Sequence, residues 1–136
     1  MKASNLKFYK SLFLTAAVYD LLLGIAFLFF TKSVFDSLGI SEKLPEFDGY
    51  LHLIGGFLFV IGIGYYLIYK GNLLKNRDLI LVGALFKLAY FLVSLYYFYI
   101  GDIPHMLFFA LFGVIDFIMF VLMFQCYNVL GKRIPD

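Results

Sequence analysis

Three ionisable side chains interrupt otherwise apolar runs: Asp20 in Leu12–Phe30, Lys87 in Leu79–Ile100 and Asp116 in Met106–Leu130. Two carboxylates and an ammonium brought together could form a buried ion pair, hold a proton, or bind a small polar solute. Lys87 is the most informative of the three, because the twenty-two residues Leu79–Ile100 contain no other charge. A charge at the centre of a membrane helix costs about 2.5–3.5 kcal/mol on insertion scales. The thirteen Leu, Ile, Val and Phe residues of that run each return about 0.3–0.6 kcal/mol, so the run still inserts. That the cost recurs in three of the four apolar runs points to a cluster.

Depth and helical face agree with a cluster. Asp20 and Lys87 lie eight or nine residues from the same end of their runs, roughly 13 Å at 1.5 Å per residue. Asp116 lies ten residues from the opposite end, about 15 Å deep, so all three are expected near the midplane. Gly83, Lys87, Tyr90 and Ser94 recur at helical spacing and form one polar and small-residue stripe. Ala16, Ala17 and Gly24 surround Asp20, while Gly113, Asp116 and Phe120 line up on the fourth run. Tyr19 and Tyr90 are placed to add hydroxyl hydrogen bonds. The expected site is therefore Asp20, Lys87, Asp116, Tyr90, Tyr19 and Ser94. Two carboxylates facing one ammonium titrate as a coupled set, which is expected to hold one proton at neutral pH. A simpler role is also open: a buried ion pair can merely specify which helices meet.

The elements that position these residues follow from composition and length. Of 136 residues, 63% are hydrophobic and only 15% charged, against about 45–50% and 25% in soluble domains. The runs Leu12–Phe30, Tyr50–Tyr69, Leu79–Ile100 and Met106–Leu130 each approach or exceed the twenty residues an α-helix needs to span a hydrocarbon core. Period-two alternation is absent, which argues against a transmembrane barrel. Short connections make sequence neighbours antiparallel. The expectation is a single all-α domain over residues 1–136, an integral membrane four-helix bundle with helices near 12–30, 50–69, 79–100 and 106–130. Gly55, Gly56, Gly62 and Gly64, with Gly83 and Ala84, would allow close helix packing. In the first loop, Ser33–Gly39 reads as one or two helical turns capped by Ser33 and stopped by Gly39. Val34, Phe35 and Leu38 share a face expected to lie on the outer membrane surface. The first run is too long for a signal peptide, carries Asp20, and is followed by no small-residue cleavage site.

Eight Lys and Arg residues flank one side (Lys2, Lys7, Lys10, Lys70, Lys75, Arg77, Lys132, Arg133) and two the other (Lys32, Lys43). The positive-inside rule then places both termini on the cytoplasmic side of the membrane. The outer side carries Asp36, Glu42, Glu46, Asp48 and Asp102.

Several chemistries are disfavoured. A net charge of +2, with no basic aromatic patch, argues against nucleic acid. Cys126 is the sole cysteine, so neither an intrachain disulfide nor a CxxC motif exists. His52 and His105 sit at the outer mouth with Glu46, Asp48 and Asp102, but their spacing matches no metal motif. No cofactor is assigned. Ser11 and Ser94 lack the partners a serine hydrolase needs. Tyr65, Tyr66 and Tyr69, like Tyr96, Tyr97 and Tyr99, read as interfacial belts. Gln125 and Asn128 are expected at headgroups or water.

The segments "YDLLLGIAFLFF", "GALFKLAYF" and "GDIP", with an LG-then-Pro first loop, resemble small bacterial four-helix membrane proteins of DoxX-like layout. The resemblance implies a four-helix bundle in a bacterial inner membrane and transfers no catalytic residue. Small multidrug transporters also have four helices and an acid in the first, but Lys87 and Asp116 depart from their layout. The leading expectation is a binding or transport module for a small solute or proton around the buried cluster, with the lipid bilayer as partner and a homodimer needed for a full pathway. The alternatives are a non-catalytic accessory subunit of a larger membrane complex and an enzyme acting on lipid or quinone. A wide hydrated cavity at Lys87 would favour transport, a dry filled core the accessory role, and a polar cavity open to lipid the enzyme.

Overall fold

The computed structural model describes residues 3–132. Lys2 and Arg133, which enter the charge count above, lie outside the described residues. These are all-helical, with no strand among them. Four helices are long and apolar enough to cross a membrane. They are α1 (Ala3–Phe29), α3 (Gly49–Lys70), α4 (Arg77–Tyr99) and α5 (Met106–Gly131). The short α2 (Thr31–Ser37) and a 3₁₀ turn at Ser41–Lys43 fill the first connection. α1 begins well before the apolar run at Leu12, so Lys7 and Lys10 are helical.

The long helices pack as two intimate pairs, α1 with α3 and α4 with α5, with sparser contact between α3 and α4. Glycine accounts for the first pair. A Cβ on Gly24 would sit 2.8 Å from the Phe59 nitrogen, and one on Gly55 would sit 2.7 Å from the Leu28 nitrogen. Both obstacles are backbone and cannot yield, so only glycine lets these helices come so close. Gly56 and Gly64, expected to help, face open space. Aromatic rings hold the second pair: Phe91 meets Phe117 at 4.6 Å between centroids, and Phe98 stacks on Phe109 at 4.1 Å.

At one end of the molecule Lys10 Nζ donates to the Gly71 carbonyl at 2.8 Å. At the same end of the second pair, the Arg77 guanidinium lies 3.9 Å over the Tyr127 ring and its Nε donates to the Tyr127 carbonyl at 3.3 Å. The core between these contacts is closely filled by Phe13, Tyr65, Ile80 and Met123, all essentially inaccessible. Large apolar side chains face outward along every long helix, among them Leu22, Phe57, Leu85 and Phe124.

The first connection departs from expectation in two respects. Ser33 is not the cap: α2 starts at Thr31, whose hydroxyl donates to the Phe27 carbonyl at 2.6 Å. Gly39 does end the segment, at φ +68°, where a side chain would be strained. The apolar face of α2 turns into the protein rather than lying flat on a surface. Phe35 is buried, 5.8 Å from Phe108 between ring centroids. Aromatic partners were available on α1 and α5, and burying Phe35 against them satisfies its apolar surface without lipid.

Candidate functional site: a sealed ion cluster beside an aromatic cavity

Lys87 reaches the centre of the bundle from α4 and is completely buried, as are Asp20 on α1 and Asp116 on α5. Its Nζ donates to Asp20 Oδ1 at 2.6 Å and to Asp116 Oδ1 at 2.9 Å. Two of the three ammonium donors are thereby used. The rings of Tyr19 and Tyr65 complete the surroundings, with centroids 4.8 and 5.7 Å from Nζ, within cation–π range. One lysine thus ties the α4–α5 pair to α1, which otherwise meets those two helices little.

The cluster is not fully satisfied. Asp20 Oδ2, Asp116 Oδ2 and the Tyr19 hydroxyl are buried without a hydrogen-bond partner among the described residues. Buried polar atoms of this kind normally have partners. Two carboxylates also face a single cation, so the sealed core carries one surplus negative charge that a single proton would cancel.

Asp116 owes its position to an irregularity. Residues Phe109–Ile115 form a π-helix, and regular α-helix resumes at Asp116 itself. The wider π turn changes which face the following residues present. Gly113 lies inside it and is buried, and Asp116 then points inward with Met119 and Met123.

Beside the cluster, toward α2, lies a cavity of about 550 Å³, within the roughly 300–1,000 Å³ typical of small-molecule sites. Phe27 of α1, Phe35 of α2, Leu51 and Ile54 of α3, Tyr90 and Val93 of α4 and Phe112 of α5 contribute to its wall. All five helices therefore build it. Ala89, Val93 and Tyr97 of α4 line the cavity and are exposed, so its wall reaches the protein surface along α4. None of the three cluster charges lines it.

This divides the residues singled out from sequence. Asp20, Lys87, Asp116 and Tyr19 come together. Tyr90 and Ser94 do not join them: they line the cavity, and Tyr90 packs on Phe86 and Phe112 at 4.8 and 5.5 Å. Among the described residues no hydrogen bond links either to the charges. Continuing along α4 carries Tyr90 and Ser94 past the cluster to the cavity wall. His52 is exposed on α3, and His105 caps α5 by accepting from the Leu107 N–H at 3.1 Å through Nδ1. The two do not form a shared site, and no group of three metal-ligating side chains occurs among the described residues.

Tyr65 was missed. It reads as part of an interfacial belt, yet it is buried and its hydroxyl donates to the Gly83 carbonyl at 2.8 Å, joining α3 to α4. A Cβ at Gly83 would sit 2.5 Å from the Tyr65 ring. The available signal was spacing: Leu58, Gly62, Tyr65 and Ile68 lie on one helical face, and all are buried. Compared with family models, curated proteins and solved structures, the chain matches none.

Proposed function

We propose that the chain is a multi-pass membrane protein that binds a small amphipathic molecule in its aromatic cavity, with the Asp20–Lys87–Asp116 cluster holding that cavity in shape. The cavity carries this reading: every helix contributes to a largely apolar chamber whose wall reaches the surface at Ala89, Val93 and Tyr97. The cluster itself is too tightly closed to admit a solute. The same closure favours a structural role for the charges, the simpler of the two roles open from sequence.

Membrane insertion is supported by the outward apolar faces. In the most apolar window of each long helix no more than a third of the residues are buried, from 33% in α1 to 22% in α4 and α5. Water would leave that surface unsatisfied, whereas lipid matches it. Antiparallel neighbours are supported by the order of contacts: Lys10 meets Gly71, while Gly24 meets Gly55. The basic residues of the α3–α4 loop then face the cytoplasm. Reporter fusions at Asn72 should read cytoplasmic and those at Lys43 external; the reverse pattern would overturn this orientation.

The binding reading is tested with a small neutral phenyl diazirine and protein in nanodiscs. Photolabel should reach Phe27 and Phe35, which are buried from the outer face but line the cavity. Val93→Phe, which fills the mouth, should remove label from both while lipid-facing Leu22 and Phe57 stay labelled. Labelling confined to lipid-facing residues would sink the proposal.

A further inference from the structure

Resting on the reading that the cavity binds a small amphipathic molecule, we propose that its ligands are lipophilic organic cations, such as hydrophobic amines and onium ions. The wall presents six aromatic rings, from Phe27, Phe35, Tyr90, Tyr97, Phe108 and Phe112. The face of such a ring carries negative charge density and attracts a cation, more strongly where water is excluded. Among the lining residues there is a single charged one, the acid Asp102, and no lysine, arginine or histidine. The Lys87 ammonium, the nearest cation in the core, is already held between two carboxylates and lies outside the wall.

Asp102 lies beyond the end of α4, next to Ile103 and Pro104, which also line the cavity. Its backbone is fixed there by the Asp102 N–H donating to the Tyr97 carbonyl at 3.0 Å. Asp102 lines the cavity and is exposed, which marks the edge where a ligand's charged group would remain while its apolar body enters among the rings. Ser94 offers one hydroxyl deeper inside. The surroundings reinforce the preference. The described residues 30–48 of the first connection carry Asp36, Glu42, Glu46 and Asp48 against Lys32 and Lys43, and Lys32 is itself near Asp48, at 4.0 Å. The four acids outnumber the two lysines, and an acidic surplus near a site raises the local concentration of cations. An anion would meet repulsion at the rim and find no donor cation within. A neutral molecule would gain nothing from Asp102.

The test compares two ions of the same shape and opposite charge, tetraphenylphosphonium and tetraphenylborate. Binding is measured by equilibrium dialysis to the full chain in zwitterionic nanodiscs, with binding to empty nanodiscs subtracted. The phosphonium should bind at least about tenfold more tightly than the borate, a difference of about 1.4 kcal/mol. Asp102→Asn should cut that preference severalfold, and Val93→Phe should abolish binding of the phosphonium. Equal binding of the two ions, or a preference for the borate, would overturn the cation assignment but leave the cavity reading standing if the diazirine still labels Phe27 and Phe35. Phosphonium binding that survives Val93→Phe would place it on the acidic surface and also overturn the assignment. Loss of both ions' binding together with loss of the photolabel would overturn both readings.

Discussion

Around Phe13, Tyr65, Ile80 and Met123 the helices close completely, and the ion cluster lies against this half of the bundle. Around Phe27, Phe35, Tyr90 and Phe112 the same helices leave about 550 Å³ open. Both halves are built from similarly apolar sequence, so hydrophobicity does not explain the difference. In the closed half Ala16, Ala17, Gly83 and Ala84 are buried and let neighbouring elements approach. There Tyr65, bonded to Gly83, ties α3 to α4. In the open half Leu51 and Ile54 on α3 and Ala89 and Val93 on α4 share a cavity wall with no such tie among the described residues. Rings from α1, α2 and α5 prop that region from behind. The charges are held where α3 and α4 are tied together, and space is left where those two helices lack such a tie, even though Gly24 and Gly55 keep α1 and α3 in backbone contact beside it.

The largest test of this contrast is Lys87→Met. It leaves Asp20 and Asp116 buried without their cation, and removing one member of a buried ionic group costs about 3–5 kcal/mol. Replacing all three charges together with apolar residues should cost far less. Denaturation in mixed micelles should separate the single variant from the triple one; equal losses would show that the charges do not act as a unit.

A smaller effect is expected from Asp116→Asn. The amide keeps an acceptor for Lys87 and removes the surplus negative charge, so the cost should stay on the order of 1 kcal/mol, that of an ordinary hydrogen bond. Asp116 is the better candidate to carry a proton because the ammonium lies nearer Asp20, 2.6 against 2.9 Å. Infrared spectra of the wild type at pH 7 should show a carboxylic-acid C=O band that disappears in Asp116→Asn. A wild type lacking that band would reduce the cluster to a plain ion pair.

The smallest change belongs to the open half. Val93→Phe adds apolar volume where there is room, so stability should move by less than about 1 kcal/mol in either direction, in contrast to overpacking a filled core. A loss comparable to that of Lys87→Met would show that the chamber is not open space.

Much of this was legible from particular residues. The helical character of the four runs followed from their length and the absence of alternation. A meeting of Asp20, Lys87 and Asp116 followed from the cost of burying each charge alone and from their depths. Phe35 was misplaced because an amphipathic turn fits a membrane surface as readily as a protein core, and only the presence of Phe27 and Phe108 nearby decides between them. Tyr65 reads as an interfacial ring because Tyr66 and Tyr69 stand beside it in sequence; Tyr66 is exposed, whereas Tyr65 lies on the buried face with Leu58, Gly62 and Ile68 and Tyr69 packs at the edge of the same core.

The sequence by itself therefore determined the helices, the apolar surface they must cover and the need for the three charges to find partners, since these depend on local periodicity and transfer energies. Tertiary structure alone decided that Tyr90 and Ser94 face a cavity instead of the charges. It also decided that a π segment turns Asp116 inward and that α3 and α4 separate above Gly83. Those outcomes depend on helix rotation and spacing, which are set by how side chains from distant parts of the chain fit together.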